Sequence, residues 1–534
     1  MRNKYENNKM RMEKVNNRKL PVGIQDFEKL RTTGYLYVDK TEYIYRLVSE
    51  YVPYFLARPR RFGKSLLLST LKAYFLGKKE LFDGLAIAGL EKEWTAYPVF
   101  HLDMNVTGYL NLDSLYTALN FNLKLLEEEW GKDDDEKDPA IRFQTLIRRA
   151  YVQTGRKVVI LIDEYDKPLL GTMDDLTVND DMRKVLKGFY GVLKSADAYL
   201  RFVSLTGVTK FSQVSVFSDL NHLSDISFDN EYAGICGISE TELLQYFQPE
   251  INTLANELGT SYNRICSDLK QRYDGYHFSK QSEGMYNPFS LLKTFSIKEL
   301  RDYWFQTGTP TFLVQMLKKM QFDIPSMEKD VKCPARAITE YRVGGSDPVP
   351  LLYQSGYLTI KDYDAKRETY ILGFPNNEVK YGFLYELLPA FMPKTNVMSE
   401  FYAGTFVDDL QDGNVESFMI RLKAFFAGIP YSLNNKTEKH YQTVFYLLFK
   451  LMGQFVEVEP QSAVGRADAI VKTDDTVYAF EFKLTGNGTA EDALKQIGEK
   501  GYLIPFTAGK RRLVKIGAEF SKKTRGLSRY LIEG

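Results

Sequence analysis

The chain has 534 residues, of which 44% are hydrophobic and 26% charged. That is an ordinary composition for a soluble globular protein, and the length is enough for about three domains. The formal net charge of +1 excludes attraction to nucleic acid by the chain as a whole and leaves it to local patches.

Met1–Arg18 is basic and polar with no apolar centre. It does not read as a secretory signal; a disordered extension is expected. Leu20–Val48 mixes turn residues with a helix starting near Asp39-Lys40-Thr41, expected to pack beside a nucleotide. Tyr54–Leu68, YFLARPRRFGKSLLL, then reads as strand, basic loop and helix. In a phosphate loop, backbone N–H groups and a helix N-terminus face the phosphates. The candidate cradle is Arg58, Pro59, Arg60, Arg61, Phe62, Gly63, Lys64, Ser65 and Leu66. Lys64 would reach the β- and γ-phosphates of ATP, and the Ser65 hydroxyl would hold Mg²⁺. Arg58 stands where the general pattern has its first glycine. A basic turn before a core helix is the plainer reading of this stretch alone.

Tyr97–Met104 is a strand, Asp113–Trp130 and Ile141–Gln153 are helices, and Lys132–Asp138 is a charged loop. Lys157–Asp166, KVVILIDEYD, has five apolar residues ending in Asp163-Glu164. A buried parallel strand whose carboxyl end opens on a ligand crevice has this form. Asp163 would bind Mg²⁺ and Glu164 would polarise the attacking water. Asp181–Asp197 is a helix and Tyr199–Val208 a further buried strand. Thr206 at its end is either a γ-phosphate sensor or a β-branched residue satisfied by backbone. Alternation of strands and helices implies an α/β fold with a parallel sheet.

From about Ile238 the periodicity is helical. Ser239-x-x-Glu242 is a capping box, and Tyr/Gly-rich pieces follow to Leu313. We expect a helical lid over 238–340, after a nucleotide-binding core over 19–237. Leu351–Ile360, Thr369–Phe374 and Val379–Phe391 suggest a winged-helix module over 341–395. Linker helices and a last α/β domain fill 396–534. In that domain Thr437–Met452 is a helix carrying Glu438 and His440; His440 reads as a surface residue. Asp468 lies in GRADAIV, and Glu481 and Lys483 lie two apart in VYAFEFKL, on one strand face. A turn at Thr473-Asp474-Asp475 can bring Asp468 beside Glu481. Ala490–Leu503 is a helix with Gln496. Two carboxylates and a lysine on a sheet suit a hard divalent cation and phosphodiester hydrolysis. The basic tail, Lys510–Arg529, could touch phosphates or be a solvated face.

The three cysteines, Cys236, Cys266 and Cys333, show no CxxC spacing. A reducing compartment, the cytoplasm, is expected, and no zinc site. No apolar stretch approaches the ~18 residues of a membrane span.

KLPVGIQDFEKLR, YVDKTEYIYRL, RPRRFGKSLLLSTL, LIDEYD, SLTGVTKFS and YDGYHF resemble the predicted AAA-ATPase-like family. GRADAIV, FEFKL and KQIGEKGY resemble the PD-(D/E)xK nuclease domain that usually follows it. The resemblance implies a P-loop NTPase core of the additional-strand type and a C-terminal restriction-endonuclease-like domain. It implies Mg-ATP at Lys64, Ser65 and Asp163, with Glu164 catalytic. It implies nuclease roles for Glu438, Asp468, Glu481, Lys483 and Gln496, with Mg²⁺ or Mn²⁺. The expectation is an ATP-gated nuclease acting on nucleic acid, DNA before RNA. The alternative is a nucleotide switch whose nuclease-like domain only binds nucleic acid or a protein. A homo-oligomer is a further expected partner, since many P-loop ATPases borrow an arginine from a neighbour.

Overall fold

The computed structural model describes residues 18–50, 52–210, 223–305, 311–320, 322, 324, 327, 331–339, 347–391, 399–427, 438–453, 457–460, 468–521, 523 and 526–534. The chain forms two compact units, one of residues up to 307 with 330–378, the other of 308–329 with 379–534.

The first unit opens with α1 (Phe27–Thr32), N-capped by Asp26, and α2 (Thr41–Ser49). Arg18, expected to end the extension, donates to Glu250 at 2.8 and 3.1 Å. Its central sheet holds β1 (Pro53–Ala57), β2 (Val99–Asp103), β3 (Val158–Asp163), β4 (Leu200–Gly207) and β5 (Ser224–Asp225). All pairs are parallel and the order is β2-β3-β4-β1-β5. The additional strand, β4, therefore separates β1 from β3. Every residue of β3 is buried, which explains its unbroken apolar run; a strand covered on both faces has no polar alternation. Covering helices include α3 (Lys64–Phe75), α4 (Leu112–Trp130), α5 (Pro139–Thr154) and α6 (Leu176–Ser195). Asp138 and Asp175 cap α5 and α6, so α6 starts five residues before its apolar periodicity suggests. Ala57 pairs with Gly207 and Asp103 with Asp163. That register gathers the carboxyl ends at one edge, where ligands of open α/β sheets bind.

Residues 238–297 form the short pair β6 (Ile238–Ser239) and β7 (Met285–Tyr286), with α7 (Glu240–Tyr246), α8 (Gln248–Glu257), α9 (Tyr262–Tyr273) and α10 (Pro288–Ile297). Leu243, Phe247, Leu254, Leu269 and Phe295 share their core. The Ser239–Glu242 capping box is formed. Strands β8 (Val331–Pro334), β9 (Thr359–Asp364) and β10 (Thr369–Gly373) make an antiparallel sheet in the order β8-β10-β9, preceded in part by α11 (Val349–Gln354).

Glu378, near the start of α12 (Asn377–Phe391), is 1% exposed and accepts from the backbone N–H of Tyr303 and Trp304 at 2.7 and 2.9 Å. Burial pushes its carboxyl from the ordinary 4.5 up to about 7. The folded chain therefore keeps a proton that the unfolded chain releases between those values. Stability falls as pH rises through that window, by about 3 kcal/mol in all. Glu378→Gln keeps an acceptor oxygen and cannot ionise. It is expected to raise the Tm of this unit at pH 8.5 and to change it little at pH 5, read by thermal melting at both. Equal shifts at the two pH values would contradict a titrating Glu378.

The second unit contains α13 (Ser399–Gln411), α14 (Val415–Ala427) and α15 (Glu438–Met452). Its sheet is β11 (Glu457–Pro460), β12 (Ala469–Lys472), β13 (Thr476–Leu484), β14 (Arg512–Ser521) and β15 (Gly526–Glu533), in that order. β13 and β14 are parallel and joined through α16 (Ala490–Glu499); the other pairs are antiparallel. The predicted helix to Leu503 stops at Glu499. Phe418, Phe449, Phe480 and Phe482 interlock in edge, tilted and stacked pairs 5.1 to 6.5 Å apart, which is where much of the aromatic content goes. No helix among the described residues is long and apolar enough to cross a membrane.

Candidate functional sites

At the carboxyl edge of the first sheet, β1 runs into the basic loop. Arg58 is 1% exposed. Its guanidinium donates to the carbonyls of Ala57 (2.9 Å), Ser227 (2.8 Å) and Tyr232 (3.1 Å) and lies 4.1 Å from the Phe278 ring centre. The residue that replaces the usual glycine thus turns inward and fastens the loop. Burial lowers its pKa, yet a guanidinium stays charged. Pro59 is buried; Arg60 and Arg61 are exposed. The Arg60 carbonyl accepts from Trp304 Nε1 at 3.3 Å, and Arg61 stacks over Phe289 at 4.8 Å. Phe62 is held edge-on by Tyr276 and Phe278. Gly63 is the N-cap of α3 at φ +93°, a conformation that a side chain would oppose. Ser65 and Leu66 follow, half-buried, in the first turn.

Lys64 is 6% exposed and donates to the carbonyls of Arg58 and Pro59 at 3.0 and 3.1 Å. Burial lowers its pKa, opposed by the charges of Asp163, Glu164 and Asp166. Asp163 Oδ1 accepts from the Thr206 hydroxyl at 2.6 Å and from the Glu164 N–H at 3.0 Å. Thr206 is therefore engaged with the carboxylate next to it, an arrangement that neither expectation for it contained. Glu164 has φ +50°, unusual for a side-chain-bearing residue, and burial raises its carboxyl pKa. Sequence reasoning passed over Asp166. It is buried and accepts from the N–H groups of Val208 and Thr209 and from the Thr209 hydroxyl, so it fixes the turn after β4. Its place as the third acid of DEYD was the available signal. Lys210 pairs with Asp225. Beside Gly63 lies an apolar cavity with about 650 Å³ of free space open to solvent, lined among others by Val38, Leu66, Thr70, Cys236 and Leu292.

The second constellation sits on β12 and β13. Ala469 pairs with Phe480 across the antiparallel ladder, so Asp468 lies opposite Glu481. Asp468 Oδ2 accepts from the Phe482 N–H at 2.8 Å. Glu481 is 4% exposed. Its Oε1 accepts from Lys483 Nζ at 3.0 Å and Gln496 Nε2 at 2.5 Å, and its Oε2 is buried with no hydrogen-bond partner among the described residues. Lys483 Nζ also donates to Gln496 Oε1 at 2.5 Å. Burial raises the Glu481 pKa, and Lys483 opposes the shift. Gln496 reaches the pair because α16 rests directly on β14. Gly517, the sheet neighbour of Glu481, has no side chain there; a Cβ would stand 2.4 Å from the Ala490 carbonyl. The side chains of Glu438 and His440 lie outside the described residues. Among the described residues no cluster of three or more acidic, histidine or cysteine side chains forms a metal cage. The orphaned Glu481 Oε2 beside Asp468 nonetheless fits a hard cation, which needs only one or two carboxylates and keeps its own waters. Sequence reasoning also missed Tyr502, whose Oη lies 3.0 Å from Gln496 Nε2. It follows the end of α16, beyond any helical spacing that would point to it.

Residues 21–217 match the family model described as "Predicted AAA-ATPase", and residues 436–529 that of the "PD-(D/E)XK nuclease superfamily". A protein of Azotobacter chroococcum mcd 1, described as "Uncharacterized protein in vnfD 5'region", is 36% identical over 529 residues, covering 97% of this chain and 99% of that protein. The chain thus belongs to the predicted AAA-ATPase family and carries a C-terminal domain of the PD-(D/E)XK nuclease superfamily.

Proposed function

We propose that this protein binds and hydrolyses Mg-ATP and uses it to control metal-dependent cleavage of nucleic acid, DNA before RNA. The observation that carries the nuclease half is the convergence of Asp468, Glu481, Lys483 and Gln496 on one sheet face. In this reading Asp468 and Glu481, with Glu438, hold Mg²⁺ or Mn²⁺, which when bound supplies Lewis acidity to the water and the phosphodiester. Lys483 orients the nucleophile, and Gln496 holds Glu481 and Lys483 in register. The complete carboxylate–lysine set favours cleavage over a domain that only binds.

In the ATPase half, the loop from Arg58 to Leu66 holds the phosphates, Lys64 neutralises them, and Ser65 and Asp163 hold Mg²⁺. The apolar cavity beside Gly63 takes the base, in keeping with a ligand pocket largely lined by hydrophobic side chains. Glu164, half-buried and raised in pKa, positions the attacking water, and Thr206 keeps Asp163 oriented. The same proposal divides the chain into an ATPase core (19–237), lid (238–340), winged-helix module (341–395) and linker with nuclease (396–534). It places the protein in the cytoplasm, with a second copy as a partner.

The test is cleavage of plasmid and labelled oligonucleotides with Mg²⁺ or Mn²⁺, with and without ATP, alongside ATP turnover. Cleavage should require the metal and change with ATP. Glu164→Gln should bind ATP yet hydrolyse it at least ~100-fold more slowly. Turnover equal to that of the wild type would reduce Glu164 to the solvated end of a strand.

A further inference from the structure

We propose that Tyr502 is a substrate-contacting residue of the nuclease site, its hydroxyl hydrogen directed to a non-bridging oxygen of the phosphodiester. The inference rests on the nuclease reading above and follows from a count of donors and acceptors. Lys483 is an ammonium and has no acceptor, so the Gln496 atom 2.5 Å from its Nζ must be the amide oxygen. A carboxylate only accepts, so the Gln496 atom 2.5 Å from Glu481 Oε1 must be the nitrogen. Both neighbours thus fix the amide orientation. The second hydrogen of Nε2 goes to Tyr502 Oη at 3.0 Å. Tyr502 is therefore the acceptor in that bond, and its own hydrogen must point elsewhere. Among the described residues no acceptor takes it.

The ring is not free to turn away. It packs against the cluster of Ile470, Val477, Ile497 and Leu503, and its backbone N–H bonds the Ile497 carbonyl at 3.3 Å. Two acceptors of one NH₂ group lie ~5 Å apart, so the hydroxyl and the Glu481 carboxylate border one space. Lys483 borders the same space, since its Nζ lies 3.0 Å from Glu481 Oε1 and 2.5 Å from Gln496 Oε1, and Asp468 stands opposite Glu481 in the ladder. A neutral donor next to two carboxylates and a lysine suits an anionic tetrahedral group whose other oxygens meet the cations.

The test uses the full chain, wild type and Tyr502→Phe, which keeps the packing. Binding is read by fluorescence anisotropy of labelled single- and double-stranded DNA 20-mers in Ca²⁺, and cleavage in Mg²⁺ and Mn²⁺. The variant should bind ~3–10-fold more weakly and cleave at least ~10-fold more slowly, with unchanged metal-induced stabilisation. The discriminating comparison substitutes sulfur for each non-bridging oxygen at the scissile phosphate. The penalty of Tyr502→Phe should shrink on one diastereomer only, because sulfur is the weaker acceptor. An equal penalty on the oxygen substrate and both diastereomers would overturn the proposal and leave Tyr502 acting through Gln496. Unchanged binding and cleavage in Tyr502→Phe would also overturn it while the nuclease reading stands; a wild type that cleaves nothing would overturn both. If Tyr502→Phe melts early, Tyr502→Leu and the diastereomer preference of the wild type decide the question.

Discussion

Glu481→Ala is expected to abolish metal-dependent cleavage, by a factor on the order of 10³ or more. Glu481 is the hub of the C-terminal site. One oxygen takes hydrogen bonds from Lys483 and Gln496, and the other is buried with no hydrogen-bond partner among the described residues. Were it part of an exposed strand face, its loss would change stability by less than ~0.5 kcal/mol and touch no activity. At 4% exposure it is not on such a face. Its removal also leaves the Lys483 ammonium with one polar neighbour fewer. Asp468→Ala should lose cleavage to a similar degree. Lys483→Ala should lose cleavage but keep much of the metal binding, because a cation is not a ligand. Asp468→Asn should relieve repulsion between facing carboxylates and raise the Tm in the absence of metal. The measurements are cleavage over a Mg²⁺ and Mn²⁺ series and melting during metal titration. Cleavage that persists in Glu481→Ala would place the activity elsewhere. A wild type whose Tm does not respond to either metal would favour the switch.

Lys64→Ala is expected to reduce ATP affinity by at least ~100-fold, the worth of a buried, charge-assisted contact to phosphate. The ammonium sits in the first turn of α3, between two loop carbonyls and three nearby carboxylates. Burying that charge costs about as much as its hydrogen bonds return, so the fold should survive the change. Calorimetric titration with a non-hydrolysable ATP analogue and Mg²⁺ checks the affinity, and melting checks the fold. Unchanged affinity would remove the loop from any role in nucleotide binding.

Much of this was legible in the sequence because the signals are local. Five apolar residues before Asp163 can be satisfied by a strand buried on both faces, and an ExK pair fixes its own face by the two-residue repeat of a strand. The alternation of strands and helices gave the parallel sheet, though not its order. What was not legible depends on residues far apart in sequence. The inward turn of Arg58 needs the carbonyls of Ser227 and Tyr232. The bond from Thr206 to Asp163 needs β4 to lie beside β3. Tyr502 becomes visible only once α16 has settled on Gly517. Periodicity reports which face of an element is buried and is silent on what that face meets.

The inward Arg58 has a consequence for the order of events during synthesis. Two of its three carbonyl acceptors lie 169 and 174 positions further along the chain, and the ring beneath its guanidinium, that of Phe278, later still. A nascent chain that has only just finished β4 therefore has β1 to β4 and α3, with the loop held by Lys64 and by the Arg58 N–H on the Gly207 carbonyl, but lacks the distant acceptors of the guanidinium. A loop tied through local glycine geometry alone would be complete as soon as it left the ribosome. Here the guanidinium's tether arrives only with Ser227, Tyr232 and Phe278, so the loop reaches its final form after the segment that follows β4 has been made.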